Sequence, residues 1–283
     1  MVTASLSAAE TTGPTDQPLS IPMKTTGNTI LLTGGGSGIG RGLAEAFHAR
    51  GNQVIISGRD GKKLAQVAAA NPGMKILTVD MTDAASVRDF AARAVAENPG
   101  LNVLVNNAGI ALMENVLAPS ASQLDDSAAM VATNLLGPIR LTAALLPQLQ
   151  AQPDAAVVNV SSGLAFVPLA ASPTYCATKA ALHSYSQSLR YQLKDSSVRV
   201  VEIIPPYVQT TLGGERQAND PAAMPLADYI AEVMAIIEGQ PDATEVNVEK
   251  VKPLRFAADG GAAKHEEFVT HFNDQMVAHF SGH

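Results

Sequence analysis

The chain of 283 residues has no tryptophan and a single cysteine, and aromatic residues make up only 4% of it. One cysteine excludes an intrachain disulfide, so packing alone must hold the fold, as expected of a reducing compartment such as the cytoplasm. With aromatics so scarce, the 46% of hydrophobic residues are chiefly Ala, Val, Leu and Ile. Such side chains let helices pack closely on a parallel sheet. Basic residues are also in deficit: 19 Lys and Arg against 26 Asp and Glu leave a formal net charge of −7. That balance argues against a nucleic-acid surface or an anionic membrane as partner. No apolar run reaches the ~18 residues expected of a membrane span. The first 22 residues are rich in Ser, Thr, Ala and Pro and lack the basic start and apolar segment of a secretory signal. Residues 1–23 are expected to form a disordered leader, and Met23 is a candidate natural start.

From Thr29 onward, short apolar runs alternate with longer helix-like stretches. The runs cover residues 29–33, 53–57, 75–79, 102–106, 155–160, 198–204 and, more weakly, 245–251. They are continuous in Val, Ile and Leu, as parallel strands buried on both faces are. Helices are expected near 38–50, 60–70, 84–97, 123–150, 173–195, 225–239 and 264–280, with Gly51, Gly73 and Gly100 as stop signals. Repeated β-α units with right-handed crossovers give an α/β, doubly wound, mainly parallel seven-stranded sheet with helices on both faces. No linker divides residues 24–283, so a single domain is expected, with a C-terminal helical extension over about 252–283.

The first expected strand runs into Thr33-Gly34-Gly35-Gly36-Ser37-Gly38-Ile39-Gly40, and a helix opens directly after it. Glycines at 34, 38 and 40 let the backbone turn tightly and let a pyrophosphate approach main-chain amides at the positive end of a helix. In this strand–turn–helix context the motif points to dinucleotide binding. Farther on, Tyr175 and Lys179 stand at i, i+4, on one face of an expected helix. A phenol beside an ammonium makes an acid/base pair, because the cation favours the phenolate and is expected to lower a pKa that starts near ~10. Cys176 adjoins the tyrosine but reads as a buried structural thiol.

Together these motifs resemble the short-chain dehydrogenase/reductase family in its single-domain oxidoreductase branch. The matching residues are Thr33-Gly-x-x-x-Gly-Ile-Gly40, Asp80, Asn106-Asn107-Ala108-Gly109, Asn134, Ser161-Ser162, Tyr175-x-x-x-Lys179 and Pro205-Pro206-Tyr207-Val208-Gln209-Thr210. Within the family, the stretches 23–33 and 251–257 are similar to the DltE-like subgroup. The resemblance implies a Rossmann-fold NAD(P)-dependent carbonyl reductase or alcohol dehydrogenase. Tyr175 would be its general acid/base, Ser162 the donor to the substrate oxygen, and Lys179 the ribose-binding cation. Asn134 would hold a water that relays protons from Lys179.

The cofactor residues implied are Gly34, Ser37, Gly38, Ile39, Gly40, Arg59, Asp80, Met81, Asn107, Ala108, Gly109, Tyr175, Lys179, Pro205, Val208 and Thr210. Pro206 stands where the family usually has glycine. At the end of the second strand Gly58 replaces the acidic residue of NAD-preferring members, and Arg59 suits a 2′-phosphate, so NADP(H) is favoured over NAD(H). Asp60 counts against this unless it caps the next helix. Leu112, Met113, Leu164, Phe166, Val167, Leu169 and Pro206 are candidate pocket residues, which suits a hydrophobic ketone or secondary alcohol. Residues 207–224 resemble a lid. His265, His271, His279 and His283 lack the close spacing of a metal site, and no metal is expected. Association into a homodimer or homotetramer through the helices near 123–150 and 173–195 follows from the resemblance. A catalytically idle dinucleotide-binding regulator, and a dehydratase or epimerase on the same fold, are the alternatives.

Overall fold

A computed structural model describes residues 24–281; the leader, Met23 and His283 lie outside them. The strands are β1 (Thr29–Thr33), β2 (Gln53–Gly58), β3 (Lys75–Thr78), β4 (Leu101–Asn106), β5 (Ala155–Val160), β6 (Val198–Ile203) and β7 (Glu245–Val246). The helices are α1 (Gly38–Ala49), α2 (Gly61–Ala70), α3 (Ala84–Glu97), α4 (Gln123–Val131) and α5 (Gly137–Gln150). They continue with α6 (Pro173–Gln192), α7 (Glu215–Asn219), α8 (Leu226–Gly239), α9 (Lys252–Arg255) and α10 (Ala262–Ser281). All strand pairs are parallel, in the order β3-β2-β1-β4-β5-β6-β7.

Each central strand divides its apolar residues between two cores, because successive side chains point to opposite faces. Ile30, Leu32, Val54, Ile56, Val103 and Val105 pack with α1, α2 and α8, through residues such as Phe47, Leu64 and Tyr229. Leu31, Ile55, Leu104 and Val157 pack with α3, α5 and α6, through Phe90, Leu141, Leu145 and Leu189. The order reverses between β1 and β4, and the crevice beyond the carboxyl ends of such neighbours is where this architecture binds ligands.

Three details depart from the sequence-based expectation. The chain leaves β7 after Val246 because Val248 and Val251, both fully buried, stand three apart and draw it into a 3₁₀ turn over Glu249–Val251. Residues 252–260 form short helical turns at the start of the stretch expected as a helical extension. The end of α3 is made by Asn98, whose side chain donates to Ala94 O at 3.0 Å, and not by Gly100. Finally, the continuous helix over Gln123–Gln150 is apolar and long enough to pass as a membrane span by length and composition, with mean hydropathy 1.4. Its apolarity has a local cause, since Leu141, Leu145 and Leu149 form a stripe buried against the sheet.

That helix contains a π turn over Ala132–Leu136. Pro138 carries no N–H, so the carbonyl of Asn134 cannot accept the ordinary α-helical hydrogen bond from four residues on.

Candidate active site

Thr33, at the end of β1, ties the switch point together. Its hydroxyl accepts from the amides of Asn107 and Ala108, each at 3.0 Å, and donates to Val105 O at 3.3 Å. Asn107 Nδ2 donates back to Thr33 O at 2.9 Å and more weakly to Gly34 O at 3.4 Å. The glycine turn therefore presses against the Asn107 segment. At Gly40 a Cβ would lie 2.3 Å from both Asn107 Nδ2 and Gly34 O. Gly34 adopts φ +73° with Ala108 backbone 2.9 Å from where its Cβ would be. Only glycine fits at these two places.

The turn delivers its amides to the start of α1. Ser37, at the N-cap, makes no side-chain cap hydrogen bond, and its carbonyl accepts from Arg41 N. Ile39 packs on the core beneath. Thr210 closes the turn from the other side, its Cβ 3.3 Å from where a Cβ on Gly38 would stand. Thr210 Oγ1 accepts from Gln217 Nε2 at 3.2 Å, and Gln217 also holds Val208 O at 2.8 Å. Val208 bridges to Met224, so the ends of the segment 207–224 meet. Pro205 O accepts from Gly163 N at 2.9 Å, which joins this segment to the loop after Ser162; Pro206, next to it, is half-buried.

At the end of β2, Asp60 accepts from Lys62 N and Lys63 N at 3.0 and 3.1 Å and so caps α2. Arg59 is exposed beside Asp80. Bonds from the amide and hydroxyl of Thr82, with a smaller contribution from Arg59, hold the Asp80 carboxyl below its ordinary range. Met81 is different: its side chain is buried in the core against Gly137, which leaves only its backbone to serve a ligand.

Four polar residues meet beyond β4 and β5. Tyr175 is 7% exposed and Lys179 4%. Lys179 Nζ donates to Val160 O at 2.8 Å and lies 5.6 Å from the Tyr175 ring centre. Ser162 lies by the Tyr175 hydroxyl and favours its ionised form, while its Oγ accepts from Leu164 N at 3.1 Å. Of the two serines it is the one beside the tyrosine; Ser161 Oγ is buried without a hydrogen-bond partner among the described residues. A Cβ on Gly109 would be 3.4 Å from Asn134 Oδ1 and 3.7 Å from Lys179 Nζ, which places these three together.

Electrostatics correct the expectation for the tyrosine. Burial pushes its phenol up to about 12, outweighing the downward pull of Ser162. Lys179 does not reverse this, because burial also brings the ammonium down to about 8, against an upward pull from Glu202. Desolvation disfavours both charged forms, and its strength here could not be read from spacing. Asn134 is likewise more committed than expected. Its side chain donates to Ile110 O at 2.9 Å and Thr178 Oγ1 at 3.2 Å and accepts from Ile110 N at 2.9 Å.

The apolar surroundings of Tyr175 contain Leu169, Met130 and Cys176, with Leu164, Ile110 and Ala111 packed on them. Cys176 Sγ accepts from Leu169 N at 3.3 Å, and burial raises its pKa, as befits a structural thiol. One candidate pocket residue, Phe166, lies elsewhere. Phe166 packs on the other core, between Arg255 (guanidinium 4.5 Å from the ring centre) and His183 (4.6 Å). Val167 is fully buried. Leu112 and Met113 sit on an exposed loop. Unexpected in this place are Phe272, Met276 and Phe280 of α10, which pack on the Tyr175 cluster. Their helical spacing was visible in the sequence, but their destination was not.

The C-terminal histidines have other partners: His265 meets Phe166 O, His271 meets Gln275 and His279 meets Asp220. A cluster not foreseen joins His183, Glu202 and Glu245, whose polar atoms lie within 4.8 Å of one another. Arg255 already holds Glu245 through two bonds of 2.7 and 2.9 Å.

Comparison with known proteins agrees with this layout. The model of the short chain dehydrogenase family matches residues 28–221. An uncharacterized oxidoreductase, DltE of Bacillus subtilis, is 39% identical over 256 residues, covering 89% of this chain and 99% of that one. A short chain dehydrogenase of Burkholderia cenocepacia, solved in complex with NADP, superposes with a TM-score of 0.71 at 26% identity, covering 83% of this chain and 94% of its own. One from Burkholderia phymatum, in complex with NAD, shares the fold at 20% identity and TM-score 0.71, covering 84% and 95%.

Proposed function

The chain belongs to the short chain dehydrogenase family, and we propose that it interconverts a carbonyl and an alcohol using a nicotinamide dinucleotide, NADP(H) in preference to NAD(H). The observation that carries this reading is the buried Tyr175 phenol with Ser162 beside it and the Lys179 ammonium 5.6 Å from its ring centre, in an apolar cluster. The residues around the crevice fit the dinucleotide. The glycine turn excludes any Cβ at Gly40, Ser37 leaves its hydroxyl uncapped, and Thr210 stands over Gly38. When bound, the cofactor would supply or accept the hydride. Asn107, Ala108 and Gly109 shape the crevice floor. The NADP(H) preference rests on the exposed Arg59 and on Asp60, whose carboxylate is occupied as a helix cap. Both relatives solved with a nicotinamide dinucleotide, one with NADP and one with NAD, support the cofactor class.

Tyr175 is protonated across the physiological range, since burial holds its pKa high. It is therefore poised as a general acid toward a carbonyl oxygen, and in the reverse direction it recovers the proton. Ser162 offers a second hydrogen bond to the same oxygen. A fixed donor of this kind in a dry site is worth about 3 kcal/mol in the transition state. Lys179, cationic below about pH 8, favours the phenolate left behind. A relay water for Lys179 would hang on the main-chain carbonyl of Asn134, which Pro138 releases from the helix, because the side chain is spent on Ile110 and Thr178.

Incubation with NADPH deuterated at C4 and a panel of hydrophobic ketones tests the reading. Deuterium at the carbinol carbon of the product is expected; cofactor left unconsumed by every ketone and aldehyde would contradict it.

A further inference from the structure

Helix α10 is stitched to both walls of the crevice. On the catalytic side, Asn273 Oδ1 accepts from Ala170 N at 2.6 Å, Asn273 Nδ2 donates to Pro168 O at 3.0 Å, and His265 meets Phe166 O at 2.9 Å. These partners belong to the loop that joins Ser162 to Tyr175. On the lid side, Arg216 of α7 donates to the carbonyls of His279 and Phe280 at 2.7 and 3.3 Å and stacks on the Phe280 ring. His279 Nε2 lies 2.6 Å from Asp220 Oδ2, which also accepts from Tyr207 Oη at 3.1 Å. A cation at the last carbonyls of a helix is favoured by the helix dipole, so the lid is fastened at α10's carboxyl end.

Between these two sets of ties, Phe272, Met276 and Phe280 repeat every four residues. They present one apolar face to the cluster that contains Tyr175. Ser162 and Tyr175 are each 7% exposed, so a substrate that reaches them must pass or replace apolar side chains. The cations that adjoin this face already have partners: Lys179 donates to Val160 O and Arg216 to the last carbonyls of α10, so the face itself is apolar. The aromatic and thioether side chains suit an alkyl chain, and methionine in particular re-packs around substrates of varied shape.

We infer that the face of α10 formed by Phe272, Met276 and Phe280 is the specificity-determining wall of the substrate site, and that it selects carbonyl compounds carrying an extended apolar arm. This rests on the reading of the site as a carbonyl/alcohol oxidoreductase. The lid and α10 open as one unit, because Arg216 and Asp220 bind the helix that closes the other wall.

The test is a series of 2-alkanones, from acetone to 2-undecanone, reduced with NADPH by the full chain and by Phe272→Ala and Met276→Ala. Glu267→Ala, on the exposed side of α10, is the control. Burial of each added methylene is expected to raise wild-type kcat/KM by roughly three- to fourfold until the wall is covered. The two α10 variants are expected to lose about tenfold on the long ketones, with acetone turnover within about twofold of wild type and the Kd for NADPH unchanged. Equal loss on all ketones, or no loss, overturns the inference. Saturation-transfer NMR of 2-undecanone with the NADP⁺-supplemented protein separates this outcome from failure of the catalytic reading. Binding weakened by the α10 substitutions upholds the wall even if no ketone is reduced. Binding that is undetectable, or indifferent to them, overturns it.

Discussion

Asn134 and Ile110 hold each other by a reciprocal pair of hydrogen bonds, each 2.9 Å long, side-chain amide against backbone amide. This pair fastens the loop after β4 to the π turn and so fixes the distance between the Asn107–Gly109 floor and the Tyr175 helix. Replacement by leucine leaves both Ile110 groups without these partners. Asn134→Leu is expected to lose about 2–3 kcal/mol of stability and most of its turnover, measured by urea denaturation and initial rates. A stable variant with full turnover would contradict this account of the loop.

Lys179 sets the expected pH dependence. Its pKa in the folded protein is about 8, below the ordinary lysine value, because it is buried. It therefore carries charge below pH 8 and loses it above. Tyr175, held near 12, cannot supply a limb in that range. kcat/KM for ketone reduction is expected to be level up to about pH 8 and to fall beyond it. The linked effect on stability has the opposite direction. Keeping a charged lysine buried costs stability below pH 8, and that cost fades as pH rises toward the unfolded lysine value. In the cofactor-free protein, unfolding free energy measured at pH 7.5 and 9.5 should show this gain, and Lys179→Met should abolish it.

His183 Nδ1 lies 2.8 Å from Glu202 Oε2, and the second oxygen of this fully buried carboxylate has no hydrogen-bond partner among the described residues. His183→Ala removes the hydrogen-bonding partner of a buried carboxylate and is expected to cost about 3 kcal/mol. With Glu202→Leu in addition, much of that loss should return, so a double-mutant cycle reads a coupling well above the ~0.5 kcal/mol of independent sites. Additive losses would rule the pair out as a coupled unit.

Arg59 carries the cofactor preference. Arg59→Ala is expected to raise the Kd for NADPH by tenfold or more, the scale of a lost charge-assisted bond of about 1.5–3 kcal/mol, and to leave NADH binding within about twofold. Fluorescence titration of both cofactors checks it; equal weakening of the two would locate the effect outside the 2′-phosphate.

Much of this layout was legible because it is local. Val/Ile/Leu runs bounded by turns marked the strands, the glycines at 34, 38 and 40 marked a turn no Cβ could enter, and Asp60 stood one residue before α2. The pairing of Ser162 with Tyr175 comes from family resemblance, and the fold brings the two side by side. What stayed hidden depends on distance in the chain or on burial. Phe280 meets a cluster formed around residues 110–176, and Phe166 is drawn away to Arg255 by a ring contact that no spacing encodes. Desolvation of Tyr175 and Lys179 exceeds their mutual influence, and it follows from the packed molecule alone. The shortening of β7 has the same origin, since burial of Val248 and Val251 at a three-residue interval overrides their preference for strand.

The central claim is that Tyr175 transfers the proton while the rest of the crevice binds cofactor. Its most direct measurement is the turnover of Tyr175→Phe beside the Kd of the same variant for NADPH. The phenyl ring keeps the packing with Leu169 and Cys176 and removes only the hydroxyl. The account predicts a kcat lower by at least about a hundredfold, the lower end of general acid catalysis, with NADPH binding within about twofold of wild type. Undiminished turnover in that variant would contradict it.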